Sequence, residues 1–159
     1  MLESKNSTSS ANTTRDAVNI KLIEALGRIA NKGMQSVIDV ISRIGRNEFS
    51  FTLTALLEKY SKFVSGISDA ASEYDVKIKD IGAVGRLSSK IGLTLSTLAD
   101  SSEEHIAGLL FEEITSDMTE TMGLLREFEN SPCSEQSLLL AREFAEFHEE
   151  ALSKIKEFL

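Results

Sequence analysis

DVKIKDIGAVGRLSSKIGLTLSTLADSS, residues 75–102, is the stretch whose reading decides the fold. Gly82, Gly85 and Gly92 punctuate it, and Ile81, Val84, Leu87, Ile91, Leu95 and Leu98 recur within it at helical spacing. That pattern predicts a short amphipathic helix inside a long connection. A connection of this length can travel the height of a helical bundle and join two hairpins, whereas short loops throughout would give an up-down-up-down bundle.

Working outward, the segment before it divides in two. From about Asp16 to Ile44, Leu22, Leu26, Ile29, Ala30, Val37, Ile41 and Ile44 form one apolar stripe, which predicts a long helix ending at Gly45. From about Asn47 to Tyr74, Phe49, Leu53, Leu56, Tyr60, Phe63, Ile67 and Ala71 form another, and so short a gap makes the two helices antiparallel neighbours. After the connection, Ser101 and Glu104 read as a capping box opening a third long helix from about Glu103 to Phe128. Ser131 followed by Pro132 reads as the cap and first-turn proline of a fourth, running to about Phe158 with Phe144, Ala151, Ile155 and Phe158 inward. Residues 1–14, rich in Ser, Thr and Asn, carry no apolar period and are expected to be a disordered tail, leaving one bundle domain over 15–159.

Composition agrees with an all-α fold. The 159 residues are 42% hydrophobic, enough for one domain with a core, and a single proline with no Trp argues against a sandwich or barrel. No apolar run has transmembrane length, and Met1-Leu2-Glu3-Ser4-Lys5 is not followed by the apolar core of a signal peptide. The one cysteine, Cys133, fits a reducing, cytoplasmic setting. Charge is uneven: residues 1–99 hold 13 Lys and Arg against 10 Asp and Glu, and residues 100–159 hold 4 against 15. So acidic a second half repels phosphates, which disfavours nucleic acid as a partner; it is either a solvated face or attractive to a cationic partner.

Three stretches carry a resemblance: Lys79-Asp80-Ile81-Gly82-Ala83-Val84-Gly85 before the crossover, Asp100-Ser101-Ser102-Glu103-Glu104-His105-Ile106 at the third helix, and the closing Phe144-to-Leu159 helix. In these, and in helix order over roughly residues 18–158, the chain resembles a small uncharacterised bacterial ferritin-like four-helix-bundle family of unknown function. The resemblance implies a ferritin-like bundle of two antiparallel hairpins and leaves the activity open.

Di-iron proteins of that architecture need a Glu from each of two helices and a Glu-x-x-His pair from each of the others. Here Ala145 stands three residues before His148 and Ser102 three before His105, so no such pair exists. Glu24, Asp39 and Glu58 fall far from the centres of their apolar stripes, and the first hairpin is expected to supply no ligand.

Two polar residues do fall on inward faces: Asp117, in the stripe of Ile106, Leu110, Ile114, Thr121, Leu124 and Phe128, and His148, beside Phe144, Ala151 and Ile155. In a hairpin about Ser131 their heights differ by about 4.5 Å, close enough to pair. Glu113 lies one turn from Asp117, nearer the stripe edge. Three readings stay open: a structural histidine–carboxylate pair, exposure through an imperfect face, or a mononuclear zinc, manganese or iron site of Glu113, Asp117 and His148.

Cys133, at a helix start, is more readily an unimportant thiol than a nucleophile, and Met118 and Met122 are packing residues. Gly82-Ala83-Val84-Gly85 lacks the strand and the Lys-Ser/Thr pair of a phosphate loop. With no catalytic signature, the expected function is a non-catalytic structural or protein-interaction module, self-association included and with no cofactor; the alternative is a metal-binding or redox protein with a non-standard site on the third and fourth helices.

Overall fold

A computed structural model describes residues 4–78, 92, 94 and 102–159 of the chain. Among the described residues there are four long helices and no strand: α1 (Ser4–Ile41), α2 (Glu48–Ser72), α3 (Glu103–Phe128) and α4 (Glu135–Ile155), the last continuing into a 3-10 turn over Lys156–Phe158. No helix among the described residues is long and apolar enough to cross a membrane.

The helix ends follow from local hydrogen bonding. Asn47 caps α2 reciprocally with Ser50, each side chain taking the other's backbone N–H at 2.9 Å. α2 closes through Asp75 in left-handed backbone (φ 56°), which lets the Val76 N–H return to the Ala71 carbonyl at 3.1 Å. α3 begins at Glu103 as expected, but its cap is Ser102, which accepts the His105 N–H at 3.3 Å, in place of the Ser101–Glu104 box.

Two further boundaries differ from expectation. Ser131 and Pro132 do not open α4: both the amide (3.0 Å) and the hydroxyl (2.6 Å) of Ser131 donate to the Phe128 carbonyl, so Ser131 finishes α3 and Ser134 caps α4. At the other end of the chain, residues 4–14, expected as a disordered tail, are helical here. Residues 10–17 are all exposed. The apolar stripe is absent from them as read, but extending an already formed helix adds one backbone hydrogen bond per residue and needs no buried face.

Side-chain contacts set the directions of the helices. α1 and α2 form one hairpin and α3 and α4 the other. Lys21–Glu127, Arg28–Glu120 and Lys32–Asp117 pair an advancing α1 with a receding α3, so these two are antiparallel. Phe49–Phe158 (ring centroids 4.8 Å apart), Tyr60–Phe147 (4.8 Å) and Phe63–Phe144 (5.0 Å) do the same for α2 and α4. α2 and α3 therefore run the same way, and the chain between them must return along the bundle. Gly92 within that return is helical and buried against α1, where an added Cβ would stand 2.9 Å from Asp39 Cγ. Thr94 is helical as well, whereas Leu87, Ile91, Leu95 and Leu98 of the expected crossover helix lie outside the described residues.

Between the four helices sits one apolar core, including Leu22, Leu26, Ile29, Leu53, Ile67, Leu110, Ile114 and Phe144. Asp117, Thr121, Ser36 and His148 interrupt it.

Candidate functional site in the bundle core

Asp117 occupies the α3 stripe position where an apolar residue would ordinarily stand, and none of it is exposed. Its Oδ1 forms an ion pair with Lys32 Nζ of α1, a part-exposed side chain whose charged head reaches the buried carboxylate. Oδ2 has no hydrogen-bond partner. One turn earlier on α3, Glu113 Oε1 accepts the Ser36 hydroxyl at 2.7 Å, and Oε2 is left without a partner.

α2 brings Tyr60 to the same region. Its ring lies so close to α1 that a Cβ on Gly33 would stand 2.6 to 2.7 Å from Cε1, Cζ and the hydroxyl oxygen, so glycine is what admits it. From α4, His148 packs among rings, 4.3 Å from Phe144, 5.8 Å from Phe147 and 6.4 Å from Tyr60 between centroids. Neither imidazole nitrogen nor the Tyr60 hydroxyl has a hydrogen-bond partner.

The electrostatics follow from burial. Loss of water pushes the Asp117 carboxyl up to about 6; Lys32 opposes the rise, and Glu113 and Glu120 assist it. Burial drives His148 the other way, down to about 4, helped by the Lys32 charge. The imidazole is therefore neutral at pH 7. Tyr60 is held above its ordinary value by burial and then by the carboxylates of Asp117 and Glu113.

These contacts correct the expected pairing. Asp117 and His148 both face inward, but the carboxylate takes Lys32 and the histidine takes an aromatic shell, with no hydrogen bond between them. A lysine at the edge of α1 competes for the carboxylate because its flexible stem carries a charge inward without burying the whole side chain; Lys32 stays 41% exposed. The first hairpin is likewise less inert than expected. Glu24 and Glu58 are exposed and Asp39 lies against Gly92, yet Lys32, Ser36 and Tyr60 all enter the cluster. A readable signal existed: between Ala30 and Val37 the α1 stripe continues only through Gly33, Met34 and Ser36, two of them small enough to admit groups from other helices.

Among the described residues no group of three or more His, Cys, Asp or Glu side chains is arranged to hold a metal ion. Glu113 and Asp117 of the candidate O/O/N set lie one turn apart on α3, and His148 is held among the rings of α2 and α4. Cys133 precedes the α4 cap and does not sit in the first turn. Its thiol donates to Asn19 Oδ1 at 3.2 Å, and burial pushes it up, away from an activated thiolate. The same Asn19 oxygen accepts the Ser134 N–H at 2.8 Å, so this buried α1 residue anchors the α3–α4 turn. Met118 is half-buried and Met122 is 41% exposed.

Open surface grooves among the described residues, one by His105 and Leu109 and two between α2 and α4, are lined by other residues than Tyr60, Glu113, Asp117 and His148. No protein-family model, curated protein or solved structure matches the chain.

Proposed function

We propose that this chain is a ferritin-like helical bundle acting as a non-catalytic structural or protein-interaction module in a reducing, cytoplasmic setting. The order of helix directions supports the ferritin-like reading, since two antiparallel hairpins with α2 and α3 running the same way require a single long return. One observation carries the functional part: Asp117 and His148 are wholly buried, and the imidazole faces rings instead of a groove that a substrate could enter. General acid–base work needs a group within reach of the proton it moves, and Asp117 and His148 are too deeply buried to reach one on an outside molecule.

The rival reading, a metal site on Glu113, Asp117 and His148, draws on the unpartnered Glu113 Oε2, Asp117 Oδ2 and imidazole nitrogens. It requires Lys32 to give up Asp117 and His148 to leave its aromatic shell. Elemental analysis of protein purified without a histidine tag separates the two. Iron, zinc and manganese well below one ion per chain are expected. Stoichiometric metal, lost in Asp117→Asn and in His148→Gln, overturns the non-catalytic reading in favour of the metal site.

A further inference from the structure

The two cross-hairpin seams are built differently. Along α1 and α3, Lys21–Glu127, Arg28–Glu120 and Lys32–Asp117 bridge the middle of α1 to the second half of α3. Along α2 and α4 the ion pair among the described residues is Lys59–Glu150, near the middle of α2, and from there toward the α2 C-terminus the seam opens. Two depressions follow there, of about 450 and 340 Å³. They are continuous, since Gly66, Leu140 and Glu143 line both.

Gly66 is one cause of the opening. A Cβ added to it would meet only Leu140 Cδ1, at 4.0 Å, so the missing side chain leaves unfilled space between the helices. Phe63, Leu140 and Phe147 make the floor of one depression, and Ala70, Tyr74 and Leu139 line the other, with Leu139 48% exposed. From Lys59 to the end of α2 at Ser72 the groove spans between three and four turns, or roughly 20 Å, and continues to Tyr74 in the turn beyond. Its rim is acidic. With Lys59 engaged by Glu150, the exposed charges along it are Asp69, Glu73, Glu143 and Glu146 against Lys62.

We propose that this groove docks a basic amphipathic helix of a partner protein, apolar face down on Phe63, Leu140 and Phe147 and lysines or arginines against the acidic rim. This rests on the interaction-module reading and names its surface and the chemistry of the partner. The dimensions match the helix-in-groove mode, in which anchors at i, i+3, i+4 and i+7 fill a furrow between two helices. Charge complementarity selects a cationic partner over an acidic one and speeds encounter more than it tightens binding.

The test titrates a labelled model helix of about 18 residues, with Leu on one face and Lys on the other, into the full chain. Its Leu/Glu counterpart serves as control. Saturable binding of one Leu/Lys peptide per chain is expected, weakened by about tenfold or more by Glu143→Lys/Glu146→Lys and weakening as salt is raised from about 0.05 to 0.3 M. Gly66→Leu, which fills the groove without altering charge, should weaken it as well; melting curves establish that each variant folds. Glu104→Lys/Glu112→Lys, on α3 away from the groove, should leave binding unchanged.

Equal loss in that control pair, equal binding of the Leu/Glu peptide, or indifference to Gly66→Leu overturns the proposal, because each shows attraction without a groove. So does a native dimer that Glu143→Lys/Glu146→Lys converts to monomer, which would assign the groove to a second copy. None of these outcomes bears on the metal content that tests the broader reading.

Discussion

Asp117 and His148 depart from their ordinary proton affinities in opposite directions, and this gives the core a pH signature that neither would have alone. The folded chain holds the Asp117 proton up to about pH 6, against 3.8 ordinarily. Its contribution to stability is complete below 3.8 and is lost as pH rises through 6. His148 binds its proton only near pH 4 in the folded chain, against 6.5 ordinarily. Its contribution is present above 6.5 and is lost as pH falls through 4. Between pH 4 and 6 the two slopes oppose and largely offset each other. In thermal melts across that window, Asp117→Asn should lose stability on acidification more steeply than the parent chain, and His148→Gln less steeply. Parallel curves for all three proteins would show that neither group titrates inside the core. The ion pair gives a second residue-level outcome. Lys32→Met leaves Asp117 buried without its counter-ion, so Lys32→Met/Asp117→Leu should be more stable than the sum of the single changes implies, by about 0.5–3 kcal/mol. The same cycle on Asp117 and His148 should be close to additive, because no hydrogen bond joins them. That Asp117 and His148 point inward was legible from helical period alone. Their partners were not, since a stripe says which way a side chain faces and nothing about which residue of another helix arrives opposite.

At the level of the element, two glycines inside helices have opposite roles that composition cannot separate. Gly33 on α1 is the slot for the Tyr60 ring, and a Cβ there would stand 2.6 Å from Cε1. Gly66 on α2 faces the open groove. Alanine raises helix propensity at both sites by about 0.5–1 kcal/mol, so steric fit decides the sign. Gly66→Ala should raise the melting temperature by a few degrees, whereas Gly33→Ala should lower it by displacing Tyr60 from the core. Thermal melts of the two variants check this directly, and stabilisation by Gly33→Ala would mean that α1 and α2 separate without cost. The helix boundaries show a similar limit of reading. The Glu103 start of α3 is marked by its sequence, because serine ahead of paired glutamates opens a helix there whichever of the two adjacent serines caps it. The start of α4 is not: Ser131-Pro132-Cys133-Ser134 contains two serines able to cap, and Ser131 is diverted by the Phe128 carbonyl only once α3 is in place.

Across the whole molecule, the uneven charge of the sequence becomes a relation between hairpins. Lys21, Arg28 and Lys32 of the basic first half meet Glu127, Glu120 and Asp117 of the acidic second half along one seam. Lys21–Glu127 and Arg28–Glu120 are solvent-exposed and worth little individually. They align the hairpins, while burial of the core supplies most of the stability. Where the cooperative unit begins along α1 follows from the same accounting. Residues 10–17 are exposed, and Asn19 is the first fully buried residue of the helix among those with described side chains, holding the α3–α4 turn through the Ser134 N–H and the Cys133 thiol. Removing residues 1–14 should therefore leave the melting midpoint nearly unchanged, since residues 10–14, whose side chains are described, are all exposed. Asn19→Ala deletes one side chain yet strands a backbone donor inside the fold, which should cost about 1–3 kcal/mol and several degrees. The truncation and the point variant, melted side by side, locate the edge of the folding unit. A large loss from the truncation would move that edge into the first turns of α1 and make the serine- and threonine-rich segment part of the bundle.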